Sequence, residues 1–295
     1  MRPEMVAQLN AMGSSPREAM MIRIFKQERT LEVWKRTNSG EFKMFKAYAI
    51  CAYSGDLGPK VREGDMQSPE GFYTITPGLL NPNSNYYLAF NTGFPNKFDR
   101  ANGRTGSYLM VHGDCKSVGC FAMTDAGIAE IYALARERFR GGNTSFQVQI
   151  LPFRMTTANM VKQTANPHFG FWKNIKEGYD LFEHTKVPPA WDVCEQRYIF
   201  NAQTTMPLDP MALCPPTVQV ASVTAQQQAD EMRYSAAIAK GQRAVDEQAA
   251  IKARGQAING AVSGFFGGMG NMFGGNAAPA AAPATAAPLP APART

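Results

Sequence analysis

The segment SYLMVHGDCKSVGCFAMTDAGIAEIYALARERF, residues 107–139, contains the three local patterns that decide the fold of this chain. It opens with an apolar run typical of a β-strand and passes through a short loop with glycines and cysteines. It ends in apolar residues at three- and four-residue spacing, which predicts a helix. Thr124 is a suitable N-cap for that helix, and Asp125 suits its positive end. The segment therefore predicts a strand, a loop and a capped helix in direct succession.

Similar apolar or alternating runs recur through the first part of the chain, separated by Gly, Pro and Asn. A second helix is predicted over 171–185, where aromatic and aliphatic residues fall on one side. The stretches 54–71 and 76–85 are predicted to be turn-rich loops, long enough to suggest function. The predicted fold class is α+β, mainly β, with a few packed helices. Its strands are expected at 20–26, 30–36, 42–51, 71–75, 86–90, 107–112 and 145–151.

The composition of the chain changes after residue 215, which predicts a domain boundary near Pro216. Residues 1–19 are then a lead-in segment, and residues 20–215 form the main domain. Residues 216–258 contain good helix formers and few large apolar side chains, so they predict a helical extension without a core of its own. Residues 259–295 are rich in Gly and then in Ala and Pro, which is typical of a flexible tail.

The composition and net charge of the chain restrict the classes of molecule that it can bind. The chain has 295 residues, 44% of them hydrophobic, and a formal net charge of +6, so it can bury a full core and favours an anionic environment. Its basic residues are scattered and form no stripe interleaved with aromatics. This argues against nucleic acid and is compatible with an anionic polymer such as cell wall. No run of about 18 apolar residues is present, so we expect no transmembrane segment.

The beginning of the chain lacks the apolar stretch of a secretory signal peptide. Two alternatives follow: a cytoplasmic protein, or a chain whose targeting segment is missing. The five cysteines cannot all pair with one another and are too few for a disulfide scaffold. At least one thiol is therefore expected in a monomer.

His112 and Cys120 have the clearest capacity for catalysis in the quoted segment. The predicted loop delivers Cys120 about one turn before the helix, where backbone N–H groups and the helix dipole would lower the pKa of its thiol. His112, at the end of the predicted strand, is able to take the thiol proton, as a Cys–His acyl-transfer pair requires. Gly119 lets the backbone approach a carbonyl substrate, and N–H groups from Ser117 to Cys120 would stabilise an oxyanion.

Three other interpretations of this loop stay open. Cys120 could be a small buried apolar residue, which is the commoner role of cysteine. A zinc site formed by His112, Cys115 and Cys120 lacks a fourth ligand and the usual Cys-x2-Cys spacing, so we expect no metal ion and no cofactor. A disulfide between Cys115 and Cys120 would block the nucleophile.

The segment resembles the catalytic domain of the YkuD-type L,D-transpeptidases, whose signature is a His-Gly pair followed by Ser-x-Gly-Cys. The corresponding residues are His112-Gly113 and Ser117-Val118-Gly119-Cys120. The short spacing between the two parts and the sequence GCFAMTD resemble the YafK-like branch of that family. Further similar stretches follow in the family's order from about Ile22 to Phe200, including LGPKVREGDMQSPEGFYTI and LNPNSNYYLAFNTGFPNKFDRANGRTG.

This resemblance implies a periplasmic, β-rich domain that acts on the stem peptides of peptidoglycan. Cys120 would be the nucleophile that forms a thioester at the diaminopimelate level, and His112 would be the general base. The carbonyl of Gly113 would orient His112, while Ser117 and Gly119 would shape the loop. The YafK-like branch includes a member that cleaves the link between peptidoglycan and an outer-membrane lipoprotein. A murein-linked lipoprotein is thus a candidate partner, and hydrolysis competes with transpeptidation.

The chain departs from the family pattern at Ala122, because the family usually has Arg two residues after the Cys. Arg104 or Arg100 would substitute for that arginine in supporting the catalytic loop and binding substrate. Cys115 has no counterpart in the signature and is interpreted as a neighbour of the site or a redox-sensitive residue. Because family members are exported, the remaining cysteines are expected to include a disulfide: Cys51, Cys194 and Cys214.

Two functions compete with this enzyme hypothesis. The first is a noncatalytic cell-wall-binding envelope protein, although the presence of both His112 and Cys120 favours an enzyme. The second is a cytoplasmic thiol hydrolase, which would require the chain to begin at Met1. The sequence leaves the choice between transpeptidase and hydrolase open.

Overall fold

The computed structural model describes residues 1–116 and 119–273, with side chains described as far as Gln256. The chain divides into two units, Met1–Ile238 and Ala239–Thr295. The helices are α1 (Pro3–Ala11), α2 (Lys97–Ala101), α3 (Asp125–Arg140), α4 (Thr157–Val161), α5 (Phe169–Thr185) and α6 (Ala221–Phe273). The strands are β1 (Met20–Phe25), β2 (Thr30–Arg36), β3 (Phe42–Ala49), β4 (Ala52–Tyr53), β5 (Gly71–Ile75), β6 (Leu80–Ser84), β7 (Tyr87–Asn91), β8 (Met110–His112), β9 (Phe121–Ala122), β10 (Phe146–Leu151), β11 (Trp191–Cys194) and β12 (Arg197–Phe200).

The first sheet has the strand order β3-β2-β1-β10-β5. Strands β1 and β10 are parallel, and the other neighbours are antiparallel. Both faces of this sheet are covered: Ile22 and Ile24 of β1 join a core with α3, whereas Phe25 joins a second core with α5. Burial on both faces explains why β1 is buried at every position and is apolar everywhere except at Arg23.

The second sheet has the order β4-β9-β8-β7-β6 and consists of short strands. Strands β8 and β9 are parallel, with Val111 opposite Phe121 and His112 opposite Ala122. Helix α3 packs against β7 and β8. Because β8 and β9 are parallel, the connection 113–120 leaves the end of β8 and returns to the level of its beginning. This return places Cys120 beside Met110.

The predicted fold class, α+β and mainly β, is confirmed by these two mixed sheets with packed helices. Helix α3 lies where the sequence predicts it, and the side chain of Thr124 accepts a hydrogen bond from the N–H of Gly127 at 3.1 Å, as an N-cap does. Helix α5 begins at Phe169, slightly earlier than predicted, and buries Trp172 and Ile175. The predicted strands correspond to β1, β2, β3, β5, β7, β8 and β10, although β8 begins at Met110 rather than at residue 107.

The segment 76–85 was predicted as a loop, and this is wrong over Leu80–Ser84, which form strand β6. This strand pairs only with β7 at the edge of the second sheet, and its register shifts between Asn81 and Ser84. Pro82 falls in that shift, where a residue without a backbone N–H is tolerated. An edge strand with little burial lacks the apolar alternation that identifies strands in a sequence.

Two further regions contain structure that the sequence patterns did not reveal. The lead-in segment 1–19 includes α1, whose Met5 and Leu9 are buried in the first core. Strands β11 and β12 form a separate two-stranded sheet next to α5. Helix α6 continues to Phe273, past the predicted beginning of the tail, and residues 274–295 lie outside the described residues. The division at residues 216 and 259 stays a prediction.

A methyl group at Gly178 of α5 should destabilise the fold, although Ala is ordinarily the better helix former. Its Cβ would stand 2.6 Å from Cζ of Phe72 and would overlap the ring of Phe200, and both rings are buried. We expect Gly178→Ala to lower the free energy of unfolding by about 1–3 kcal/mol, the usual cost of overpacking. Urea unfolding followed by circular dichroism measures this change.

Gly170 provides the matched control in the same helix, because a Cβ there would meet nothing within 4 Å. Gly170→Ala should raise the free energy of unfolding by up to about 1 kcal/mol, since Ala restricts the unfolded chain and favours the helix. Equal effects of the two substitutions would contradict the packing of α5 described above.

Candidate active site

Cys120 directly precedes β9, and its thiol lies against the beginning of β8. The Sγ atom accepts a hydrogen bond from the N–H of Met110 at 3.3 Å and lies 3.7 Å from the carbonyl oxygen of Tyr108. The residue is half-buried and is the cysteine outside both disulfides of the chain. The thiol is thus held beside the strand that ends at His112.

His112 ends β8 and is 3% exposed. Its Nδ1 lies 2.6 Å from the carbonyl oxygen of Gly113. A carbonyl can only accept, so this hydrogen bond requires a proton on Nδ1 and leaves the lone pair of the neutral ring on Nε2. The ring also lies beside that of Tyr86, with 4.8 Å between centroids. The imidazole is therefore fixed in one tautomer and one orientation.

Position 113 requires glycine because the backbone of Tyr86 and the side chain of Asp125 approach it closely. A Cβ at this position would stand 2.9 Å from the carbonyl oxygen of Tyr86 and would also overlap Oδ1 of Asp125. That Oδ1 accepts a hydrogen bond from the N–H of Asp114 at 2.9 Å. The N–H of Gly113 donates to the carbonyl of Tyr86 at 3.0 Å. The first residues after His112 are consequently tied both to the second sheet and to the beginning of α3.

Gly119 has a backbone φ of +87°, a conformation that favours glycine. Its N–H donates to Oγ of Ser54 at 2.7 Å, and its carbonyl accepts a hydrogen bond from Oγ of Ser68 at 3.2 Å. The Gly119 N–H therefore has an acceptor in this arrangement, and its expected role toward an oxyanion stays a prediction. Ser117, the other residue predicted to shape the loop, lies outside the described residues.

The predicted lowering of the Cys120 pKa is wrong. Burial raises the pKa of this thiol, and the hydrogen bond from the N–H of Met110 opposes that effect only in part. The reason is topological: β9, formed by Phe121 and Ala122, and then Met123 separate Cys120 from the N-terminus of α3. The thiol therefore lies beside a strand rather than at the positive end of a helix.

The cysteine pairing removes two of the alternatives that the sequence left open. Cys115 forms a disulfide with Cys51, so it neither pairs with Cys120 nor ligates zinc. Cys194 pairs with Cys214, which confirms the expectation of a disulfide among the remaining cysteines. The Cys51–Cys115 bond ties the connection 113–120 to the chain between β3 and β4.

Arg104 and Arg100 lie around α2, and their described contacts are structural. Arg104 pairs with the buried carboxylate of Asp99 at 3.0 Å and lies over the rings of Phe98 and Phe171, at 4.7 and 4.6 Å from their centroids. Arg100 donates to the backbone carbonyl of Pro95. These contacts account for both side chains without a substrate, and the binding role of both arginines stays a prediction.

Sequence reasoning missed the two serines that hold Gly119. Ser54 and Ser68 stand near the ends of the turn-rich stretch 54–71, which the sequence marked as a long loop of suspected function. Loop length could identify the stretch, but nothing in the local pattern distinguishes these two hydroxyls from other serines. The partner of each is more than fifty residues away in the chain.

Comparison with known proteins gives consistent matches. The family model of the YkuD L,D-transpeptidase catalytic domain matches residues 8–150. The chain is 49% identical over 180 residues to a protein of Escherichia coli K12 named "Putative L,D-transpeptidase YafK"; the match covers 61% of this chain and 73% of the relative. The same values hold for YafK of Escherichia coli O157:H7.

Matches among solved structures include the helical cell shape determining protein Pgp2 of Campylobacter jejuni. It is 18% identical, with a TM-score of 0.36, over 80% of this chain and 77% of that chain. L,D-transpeptidase 1 of Mycobacterium tuberculosis is 14% identical, with a TM-score of 0.24, over 45% of this chain and 62% of that chain.

The alkylation of Cys120 should report its raised pKa. The rate of reaction with iodoacetamide follows the thiolate fraction, so we expect its midpoint above pH ~8.5, the ordinary pKa of a cysteine thiol. Mass spectrometry without reductant measures the rate across the pH range. The same protein in urea, with its disulfides intact, is the reference and should show the ordinary midpoint. A midpoint lower in the folded protein than in urea would mean that the fold stabilises the thiolate.

Proposed function

Because the chain belongs to the family of YkuD-type L,D-transpeptidase catalytic domains, we propose that it acts on peptidoglycan by cysteine acyl transfer, with Cys120 as nucleophile and His112 as general base. The observation that carries this proposal is the position of the Cys120 thiol beside β8, the strand that ends at His112. The imidazole is buried there, with Nδ1 bound to the Gly113 carbonyl and Nε2 left as the basic nitrogen.

The reaction begins with a proton transfer. Since burial raises the Cys120 pKa, the thiol is protonated near neutral pH and needs a base at the moment of attack. Nε2 of His112 accepts the thiol proton while Sγ forms a bond to the carbonyl carbon of a stem peptide at the diaminopimelate level. The C–N bond of that amide then breaks, and the imidazolium returns the proton to the leaving amine. The product is a thioester on Cys120.

The second half of the reaction resolves the thioester. An acceptor amine gives transpeptidation, and water gives hydrolysis; in either case His112 removes a proton from the attacking group and the thiol is regenerated. The likeness to a protein named as an L,D-transpeptidase supports transfer to an amine. The likeness to a branch with a lipoprotein-releasing member supports hydrolysis, with a murein-linked lipoprotein as substrate.

The N–H of Cys120 is the proposed donor to the oxyanion of the tetrahedral intermediate. Hydrolases with a Ser or Cys nucleophile commonly use the N–H of the nucleophile itself in this role. The N–H of Gly119 donates to Ser54 instead. The predicted role of Ser117 in the same loop remains part of the proposal.

The two disulfides support a periplasmic location. Disulfides persist in oxidising compartments and are rare in the cytosol, and the peptidoglycan substrate lies in the periplasm. This argument disfavours a cytoplasmic thiol hydrolase. Among the described residues, none of the helices combines the length and the apolar character needed to cross a bilayer. A noncatalytic wall-binding protein is the second candidate. The presence of both a buried, oriented His112 at the end of β8 and the Cys120 thiol beside the same strand disfavours it.

Removal of the nucleophile should abolish turnover, and removal of the base should slow it strongly. Purified peptidoglycan, part of it carrying bound lipoprotein, is incubated with the wild type, Cys120→Ala or His112→Gln, and the products are analysed by mass spectrometry. New diaminopimelate crosslinks indicate a transpeptidase, and trimmed stems or released lipoprotein indicate a hydrolase. We expect His112→Gln to slow the reaction by at least about 100-fold, the usual contribution of a general base.

His184→Gln is the matched control, because His184 is exposed on α5. It should leave turnover within about twofold, as expected for a surface side chain that makes no contribution to the transition state. Products that persist in Cys120→Ala would refute the cysteine mechanism. Wall binding without any product in the wild type would favour the noncatalytic candidate.

A further inference from the structure

Both peptide groups of Gly119 are held by serines of the loop 54–71. Ser54 accepts the Gly119 N–H at 2.7 Å, and the hydroxyl of Ser68 donates to the Gly119 carbonyl at 3.2 Å. Ser68 is fully buried, and Ser54 is half-buried. The residue before the proposed nucleophile is thus fixed at both ends by side chains from a distant segment.

The two serines are also bound to each other. The N–H of Ser54 donates to Oγ of Ser68 at 3.2 Å, and the N–H of Ser68 donates to the carbonyl of Ser54 at 3.0 Å. The Ser68 hydroxyl therefore receives one hydrogen bond and gives its own proton to Gly119. Because its acceptor and donor capacities are both used, the hydroxyl has one preferred orientation.

A buried ion pair holds Ser68 from the other side. The ammonium of Lys26 donates to the Ser68 carbonyl at 3.1 Å and to the Gly58 carbonyl at 2.8 Å, and it pairs with Glu70 at 3.0 Å. Glu70 in turn accepts the indole N–H of Trp172 at 2.8 Å. Lys26, Glu70 and Trp172 are fully buried. The support for Gly119 therefore extends from Lys26, directly after β1, to Trp172 of α5.

The geometry of the peptide bond gives this arrangement a chemical consequence. The carbonyl of Gly119 and the N–H of Cys120 belong to one peptide group, and in a trans peptide they point in opposite directions. Since Ser68 draws the carbonyl toward itself, the Cys120 N–H points away from Ser68. A hydrogen bond to the carbonyl also polarises the N–H of the same peptide group.

We propose that Ser68 is a positioning residue: with Ser54 it fixes the Gly119–Cys120 peptide so that the Cys120 N–H is aimed and polarised for the oxyanion. This inference rests on the proposed function, because the oxyanion forms only if Cys120 attacks a carbonyl. Ser68 touches neither the substrate nor the thiol in this scheme. Its effect is on the tetrahedral intermediate and not on substrate binding.

The kinetic test compares Ser68→Ala with Ser68→Thr, which keeps the hydroxyl, and with Ser14→Ala as matched control. The Ser14 hydroxyl is also buried and donates to a backbone carbonyl, that of Arg36, at 2.6 Å. The substrate is a set of soluble muropeptides prepared from peptidoglycan. We expect Ser68→Ala to lower kcat about 10- to 100-fold with KM within about threefold, because a misdirected oxyanion donor weakens only the transition state. Ser68→Thr should restore most of kcat.

Iodoacetamide provides the readout that separates positioning from general loss of structure. Its reaction with a thiolate is a displacement at saturated carbon and forms no oxyanion. Ser68→Ala should therefore alkylate at a rate close to that of the wild type despite its lower kcat. A parallel loss of alkylation and turnover would overturn the proposal, as would a kcat equal to that of Ser14→Ala.

Hydrogen exchange tests the contacts of Ser54 and Ser68 with Gly119 even if the proposed function fails. An inactive wild type, or activity that persists in Cys120→Ala, would refute the cysteine mechanism and with it the oxyanion role. The contacts themselves predict that Ser54→Ala speeds exchange of the Gly119 N–H, measured on peptides that span 109–123, whereas Ser14→Ala does not. Unchanged exchange in Ser54→Ala would show that Ser54 does not hold the Gly119 N–H, and this result would not depend on any activity.

Discussion

The parallel pairing of β8 and β9 is the constraint on which the site depends. With Val111 opposite Phe121, Cys120 must lie at the level of Met110, and the Met110 N–H meets its sulfur. His112 falls at the other end of the same short strand. Paired strands position both residues, because His112 is the last residue of β8 and Cys120 immediately precedes β9. Sites built on regular elements hold their geometry better than sites built on loops.

The same pairing forces the connection 113–120 to reverse within a short length, and several contacts stabilise that turn. Asp114 and Cys115 adopt left-handed backbone conformations, which are unfavourable for residues other than glycine. The Cys51–Cys115 disulfide and the hydrogen bond from the Met123 N–H to the His112 carbonyl hold both sides of the turn. Backbone strain at a functional site persists only where the surroundings determine the conformation, and here covalent and hydrogen bonds do so.

The sequence predicted the elements that have strong local patterns and missed those fixed by tertiary contacts. Helix α3 combines apolar spacing with a Thr124 cap, so its position follows from local rules. Strand β6 is a polar edge strand and carries no such pattern. The pKa of Cys120 was predicted in the wrong direction because burial, which has no local sequence signal here, raises it, and the two-residue strand β9 separates the thiol from the beginning of α3. Ser54 and Ser68 act on Gly119 across the fold, and a pairing of this kind has no local signal.

If Cys120 is the nucleophile, as proposed, a protonated thiol suits the chemical surroundings of the site. A cysteine is oxidised, or exchanges with a disulfide, more readily the more it is ionised to the thiolate. Cys115 of the Cys51–Cys115 disulfide lies in the same connection as Cys120. A thiol with a permanently lowered pKa would be exposed to both reactions in an oxidising compartment. In the proposed mechanism, burial keeps Cys120 as a thiol, and the lone pair on Nε2 of His112 accepts its proton during attack on a substrate. Under the proposed function, the resting fold thus protects the nucleophile, while the tautomer imposed by the Gly113 carbonyl retains the base that would activate it.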